Sequence, residues 1–446
     1  MSIPYLESQI MKVGAPVVIP SYVDHPTSPE VLARFGDGPA LAIKRGRERS
    51  YPGLKGEAPP TLPLYERAVD TLGPMARILD AGCGAGAGTR VLTYHYEDVV
   101  GVDRDARALQ FARHAAPGAK LVEGDLSFPQ VIGTVDGAVL IDVLGHAALP
   151  EEVLLSLRTV LGAGRKVFIA ESRSMTAQYL RAPNRRAYAP SSLGTLLTVS
   201  GYEVVEWLET DGPFLMCVAT PFSGGSWEDL RNGYADLASS RIEDALACFK
   251  DALSSTRSAV KVEAVLGEAE CRLSQRDGDG AIRAYFQARD LAPDDARPMA
   301  GLARIALSMG NAGDAAQLAE AALRLDPTDL ASLCAHALIT ERVRPDRAKG
   351  RWLIASNLAP DSFDVALHLA RAAAEDADYN LSVWALERVR AYGEDHGVPM
   401  HIALASALLG AGRIADAHLE ARLAQSFAPF DASVKALIAQ LETAKP

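Results

Sequence analysis

The stretch that most constrains this chain is Arg77-Ile-Leu-Asp-Ala-Gly-Cys-Gly-Ala-Gly-Ala-Gly-Thr89, an apolar run that ends in an acid and opens into a loop with Gly82, Gly84, Gly86 and Gly88. The run predicts a buried strand. Glycine has no Cβ and tolerates positive φ, so the strand can turn sharply into a helix whose unpaired N–H groups face whatever lies at its start. That is a seat for a nucleotide-like cofactor. A glycine pattern alone does not say which cofactor, so the flanking residues must decide.

Asp80 makes the loop Asp-x-Gly-x-Gly-x-Gly, and a carboxylate there suits the ammonium end of S-adenosylmethionine (SAM) better than a dinucleotide pyrophosphate. Val99-Val-Gly-Val-Asp103 reads as a second buried strand, its terminal acid about 20 residues past the loop and placed to accept hydrogen bonds from ribose hydroxyls. Both cofactors have that ribose. Lys120-Leu-Val-Glu-Gly-Asp-Leu126 and Val135-Asp-Gly-Ala-Val-Leu-Ile-Asp-Val-Leu144 complete an ordered set of four elements. The set resembles a class I SAM-dependent methyltransferase, over roughly residues 60–221. The resemblance implies SAM as cofactor, held by Asp80, Gly82, Cys83, Gly84, Gly86, Asp103, Arg104, Asp125, Leu126, Asp142 and Val143. Of these, Asp125 would face the adenine, and Asp142 with Val143 would line the methionine end.

The fold class expected is α/β. Strand and helix alternate to about residue 173, which predicts a mainly parallel, Rossmann-like sheet covered on both faces. Tyr202-Glu-Val-Val-Glu-Trp207 and Phe214-Leu-Met-Cys-Val-Ala219 predict a closing hairpin, hence an antiparallel final strand at the sheet edge. Residues 1–60 are Pro- and Gly-rich and read as a covering segment, 61–221 as the catalytic domain and 226–446 as a second, helical domain. The Phe222-Ser-Gly-Gly-Ser226 junction predicts two separate folding units.

From Ser226 onward Ala, Leu and Arg dominate, and Pro293, Pro327, Pro360 and Pro429 close Leu-x-Pro or Phe-x-Pro endings at a period of about 34. These helix pairs resemble tetratricopeptide (TPR) repeats, about six units stacked into an all-α solenoid. The resemblance implies a groove for a protein or peptide partner, with dimerisation or buttressing of the enzyme as the alternative. Of the net charge of −11, this region holds −8, from 24 Lys and Arg against 32 Asp and Glu, so a basic partner fits better than an acidic one.

The acidic balance argues against nucleic acid as the main partner. There is no 18-residue apolar run and no basic-then-apolar leader, so neither membrane nor export is expected and the default is cytoplasmic. Cys83, Cys217, Cys248, Cys271 and Cys334 show no metal or disulfide spacing, and no metal site is expected.

Methyl transfer from a sulfonium needs alignment and exclusion of water more than catalytic groups, although a hydroxyl acceptor gains from a base. His146, four residues after Asp142, and Glu171, at the end of the fifth strand, are the candidate catalytic residues. Arg45 and Arg47 in the leader and Arg185 and Arg186 after the fifth strand are candidate contacts for an anionic acceptor. Two functions follow as expectations. One is O- or N-methyl transfer to a small anionic metabolite, with the array docking a partner or forming a homo-oligomer. The other is a protein methyltransferase whose array binds its polypeptide substrate.

Overall fold

The computed structural model describes residues 61–128, 132–147, 149–172, 187–208, 214–391 and 396–443. Its seven strands are β1 (Arg77–Ala81), β2 (Asp98–Asp103), β3 (Lys120–Glu123), β4 (Val135–Ile141), β5 (Leu161–Ser172), β6 (Tyr202–Leu208) and β7 (Phe214–Pro221). They form one sheet in the order β3-β2-β1-β4-β5-β7-β6. β1 to β5 run parallel, and β7 is antiparallel to both β5 and β6. The sheet ends in the antiparallel edge strand β6, as the hairpin suggested, and the final strand β7 is antiparallel too but lies one place inside the edge. It inserts between β5 and β6, because it is apolar along its length and buried on both faces, whereas β6 has exposed residues and tolerates the rim.

Among the described residues five helices cover the sheet: α1 (Leu62–Leu72), α2 (Ala87–Thr93), α3 (Ala106–Ala115), α4 (Pro150–Val160) and α5 (Pro190–Val199). Successive strand residues point to opposite faces. Ile78, Val139, Ile141, Phe168, Ala170, Met216 and Val218 therefore enter one core with Tyr65, Ala68 and Leu72 of α1. Leu79, Ala138, Leu140, Val167, Ile169 and Cys217 enter the other, with Leu154 of α4 and Leu193, Leu196 and Leu197 of α5.

The remaining described chain is all helical: α6 (Ser226–Ala238), α7 (Ile242–Ala252), α8 (Ser258–Ser274), α9 (Gly278–Leu291), α10 (Arg297–Ser308), α11 (Ala312–Leu325), α12 (Leu330–Val343), α13 (Ala348–Leu358), α14 (Phe363–Glu375), α15 (Tyr379–Ala391), α16 (Gly397–Gly410), α17 (Ile414–Phe427) and α18 (Ala432–Thr443). Consecutive helices pack as six pairs followed by α18. Pro cannot continue a helix, and Pro293, Pro327, Pro360 and Pro429 stand two residues beyond α9, α11, α13 and α17.

The change of pattern near 222 is not a break in the core. Trp227, Leu230, Tyr234, Ala245 and Phe249 of the first helix pair belong to the same apolar cluster as Leu193, Leu197 and Tyr202. Arg158, on α4, stacks over the Trp227 ring at 4.7 Å and donates to Phe222 O at 2.9 Å. Among the described residues no helix is long and apolar enough to cross a membrane.

Candidate functional site

The strand order reverses between β1 and β4, and a parallel sheet opens a crevice at the carboxyl ends of such a pair. Four acids cluster there: Asp103 on β2, Asp80 on β1, Asp142 just after β4 and Glu171 on β5.

Around β1 the glycine loop folds back on β2. Gly82 and Cys83 both donate N–H groups to Val102 O, at 2.8 and 3.0 Å. Gly82, at φ +79°, passes so close to Val143 that a Cβ would stand 2.7 Å from its Cγ2. Gly86 backs onto α3, where a Cβ would meet the Ala112 backbone at 2.7 Å, so helix packing by itself requires a glycine here. Gly84, by contrast, has open space beside it.

Asp103 is half-buried, and each of its oxygens takes one backbone N–H, Oδ2 from Gly84 and Oδ1 from Asp105, both at 2.8 Å. A carboxylate offers about four lone-pair directions, so acceptor capacity remains on both oxygens. Arg104 beside it is exposed. After β3, Gly124 donates to Asp103 O at 3.0 Å, Asp125 accepts from Ser127 N at 2.9 Å, and Leu126 packs on the sheet core.

Asp80 is placed differently from the expectation. It is fully buried, with Tyr65 donating its hydroxyl to Oδ1 at 3.0 Å and Thr89 donating to Oδ2 at 2.6 Å. Instead of facing a cofactor ammonium, it ties the end of β1 to α1 and to the first turn of α2. Burial, opposed by these hydrogen bonds, raises its carboxyl to about 6. Tyr65, which also fills the space over Gly88, is drawn inward by the same bond. Cys83 is likewise buried, its Sγ against Gly101, and burial pushes its thiol far above the ordinary range. It is a packing residue under the loop.

Glu171 requires the clearest correction. It is fully buried at the end of β5, where Oε1 accepts from Val143 N at 2.9 Å and Leu144 N at 2.7 Å, and Oε2 accepts from Gly145 N at 2.9 Å. Burial and the nearby Asp142 raise its carboxyl to about 8, against the pull of the three N–H groups. With both oxygens occupied beneath the turn, it shapes the turn and does not reach an acceptor. That turn begins with Asp142, at φ +59° where a side chain is strained, and ends with His146, whose Nε2 lies 3.5 Å from Asp142 Oδ2. Both side chains keep partial exposure at the edge. Arg45, Arg47, Arg185 and Arg186 lie outside the described residues.

Thr89 is a support that sequence reasoning missed, and its hydroxyl directly after Gly88 was the available signal.

Residues 79–169, which span β1 to most of β5, match the family model of a methyltransferase domain. Demethylmenaquinone methyltransferases of two Tropheryma whipplei strains are each 28% identical over 171 residues, covering 35% of this chain and 70% of the relative. A TehB-like SAM-dependent methyltransferase structure from Corynebacterium glutamicum is 25% identical and covers 41% of this chain and 99% of that one, at a TM-score of 0.32. The structure of the APC/C hetero-tetramer Cut9-Hcn1 is 18% identical and covers 48% of this chain and 42% of that one, at a TM-score of 0.40. With the domain match falling on the strands that build the edge, the chain is an enzyme, a SAM-dependent methyltransferase.

Proposed function

We propose that this SAM-dependent methyltransferase transfers a methyl group to oxygen or nitrogen of a small, anionic metabolite. The observation that carries the reading is the position of α5: with Ala187 it packs against the first helices of successive pairs, through Glu263 of α8, Arg297 of α10 and Leu333 of α12. A polypeptide substrate laid along α8, α10 and α12 would find that face already filled by the chain itself. The acceptor in the name of the two relatives, demethylmenaquinone, is also a small molecule.

The edge suits SAM. Open space at Gly84 leaves room, and Asp103 keeps acceptor capacity for ribose hydroxyls. Asp125 and Leu126 would border the adenine, and Asp142 with Val143 the methionine end. Bound there, SAM supplies an activated methyl group. The chain's own part is to align the acceptor and exclude water, and His146 is the proposed base for a hydroxyl or amine acceptor. The anionic character of the acceptor rests on Arg45, Arg47, Arg185 and Arg186.

The helix pairs read as TPR-like repeats, and the pairs from α14 onward, beyond the docked segment, are the surface for a protein partner. Incubation with labelled SAM and size-fractionated cell extract tests the whole reading. Label in the small-molecule fraction supports it, and label in a protein band overturns it.

A further inference from the structure

Where the described chain resumes after β5, two adjacent residues grip both halves of the molecule. Ala187 donates its N–H to Asn357 O at 3.1 Å and packs against Leu333 and Leu358. Leu358 has counterparts at the same place in the repeat, Leu291, Leu325 and Phe427, each two residues before a Pro. Those three are 38%, 45% and 60% exposed, whereas Leu358, the one that Ala187 meets, is 5% exposed. Tyr188 is buried, donates its N–H to Ser172 O at 3.0 Å, and donates its hydroxyl to Leu144 O at 3.3 Å in the turn that carries His146.

The next turns of chain are fastened in the same way. Ser191 donates to Asp329 Oδ1 at 2.8 Å, and Thr195 donates to Glu263 Oε1 at 2.9 Å. Arg297 donates to Thr195 Oγ1 at 2.7 Å and pairs with Glu263 at 2.7 Å and Asp295 at 2.6 Å. Thr195, Glu263 and Asp329 are buried, so losing one partner leaves a buried polar group unsatisfied.

We propose that Tyr188 is a positioning residue for methyl transfer and that the helical array sets its place, holding the backbone on either side of it so that its hydroxyl steadies the turn at residues 143–146. The array then acts in cis as part of the site's frame. This deepens the preceding reading and rests on it, because that reading puts the turn beside the acceptor.

The test uses the full chain saturated with SAM. Hydrogen exchange is followed by mass spectrometry on the peptide covering 143–147, and the His146 imidazole is titrated by NMR with selectively labelled histidine, assigned by His146→Gln. Tyr188→Phe, Ser191→Ala and Thr195→Val should each speed exchange in that peptide by about three- to tenfold and shift the His146 midpoint, while α16 to α18 exchange as before. Ser191→Thr, which keeps the hydroxyl, should restore the original behaviour. If Ser191→Ala and Thr195→Val leave both readouts unchanged, or if exchange rises evenly over the whole molecule, the proposal is overturned. Neither readout involves an acceptor, so a failure to label small molecules in extract would count against the acceptor assignment alone.

Discussion

Four carboxylates end four neighbouring strands, yet they divide into two layers. Asp80 and Glu171 lie beneath the edge, wholly buried, with both oxygens of each held by groups of the protein. Asp103 and Asp142 lie above them, partly exposed. Asp80 shares the face of Ile78 and so points into the core under α1, where Tyr65 and Thr89 wait for it. Among the described residues Asp103 is met by backbone N–H groups of its own rim, and it keeps capacity toward the crevice. An acid at a strand end is thus either a fastening or a ligand contact, and the donors that fold against it decide which.

The largest effect expected from breaking the lower layer is that of Glu171→Ala. It leaves three N–H groups without their acceptor in a buried place, and a loss of about 3 kcal/mol in urea unfolding is expected. A loss below about 1 kcal/mol would mean that the turn does not depend on this carboxylate.

The lower layer also gives stability a pH dependence. Both acids hold their protons more tightly when folded, chiefly through burial, Asp80 up to about 6 and Glu171 up to about 8. Their contribution is whole below the ordinary carboxylate range and is lost as pH rises through the raised values, since the folded state then binds more protons than the unfolded one. The unfolding midpoint should therefore decline between about pH 4 and pH 8, and Glu171→Gln should flatten the upper part of that decline. An unaltered slope in the variant would show that Glu171 does not titrate in this range.

A smaller effect is expected for Tyr65→Phe. It removes one buried hydrogen bond to Asp80, and a loss of about 1 kcal/mol should appear in thermal unfolding, with SAM affinity nearly unchanged. Weakened SAM binding without loss of stability would instead move Tyr65 to the upper layer.

The difference between the layers marks what a reader of the sequence can and cannot see. Strand ends, the glycine loop and the position of Asp103 follow from local patterns of hydrophobicity and spacing, and they were legible. So was the repeat period, because Leu-x-Pro endings recur within one kind of helix. The partners of the buried acids were not. Thr89 lies 9 residues from Asp80, Tyr65 lies 15, and the amides that hold Glu171 lie 26 to 28 residues before it. These meet only once the sheet and its helices have packed. The docking of α5 is less local still, since Ser191 and Asp329 are 138 residues apart, and no periodicity announces such a pair. The place of β7 inside the sheet was readable in principle from its unbroken apolar run, which a rim strand does not need.

The division into two layers is tested most directly by isothermal calorimetry of SAM with Asp103→Asn and Asp80→Asn, each beside its unfolding curve. Asp103→Asn should weaken SAM binding by about 1.5–3 kcal/mol, which is roughly ten- to 150-fold, because a charge-assisted contact to ribose is lost. Asp80→Asn should lower the unfolding midpoint and leave the SAM Kd within about threefold, less than 1 kcal/mol, since its oxygens face Tyr65 and Thr89. The opposite pattern, with SAM binding lost in Asp80→Asn and kept in Asp103→Asn, would contradict the account.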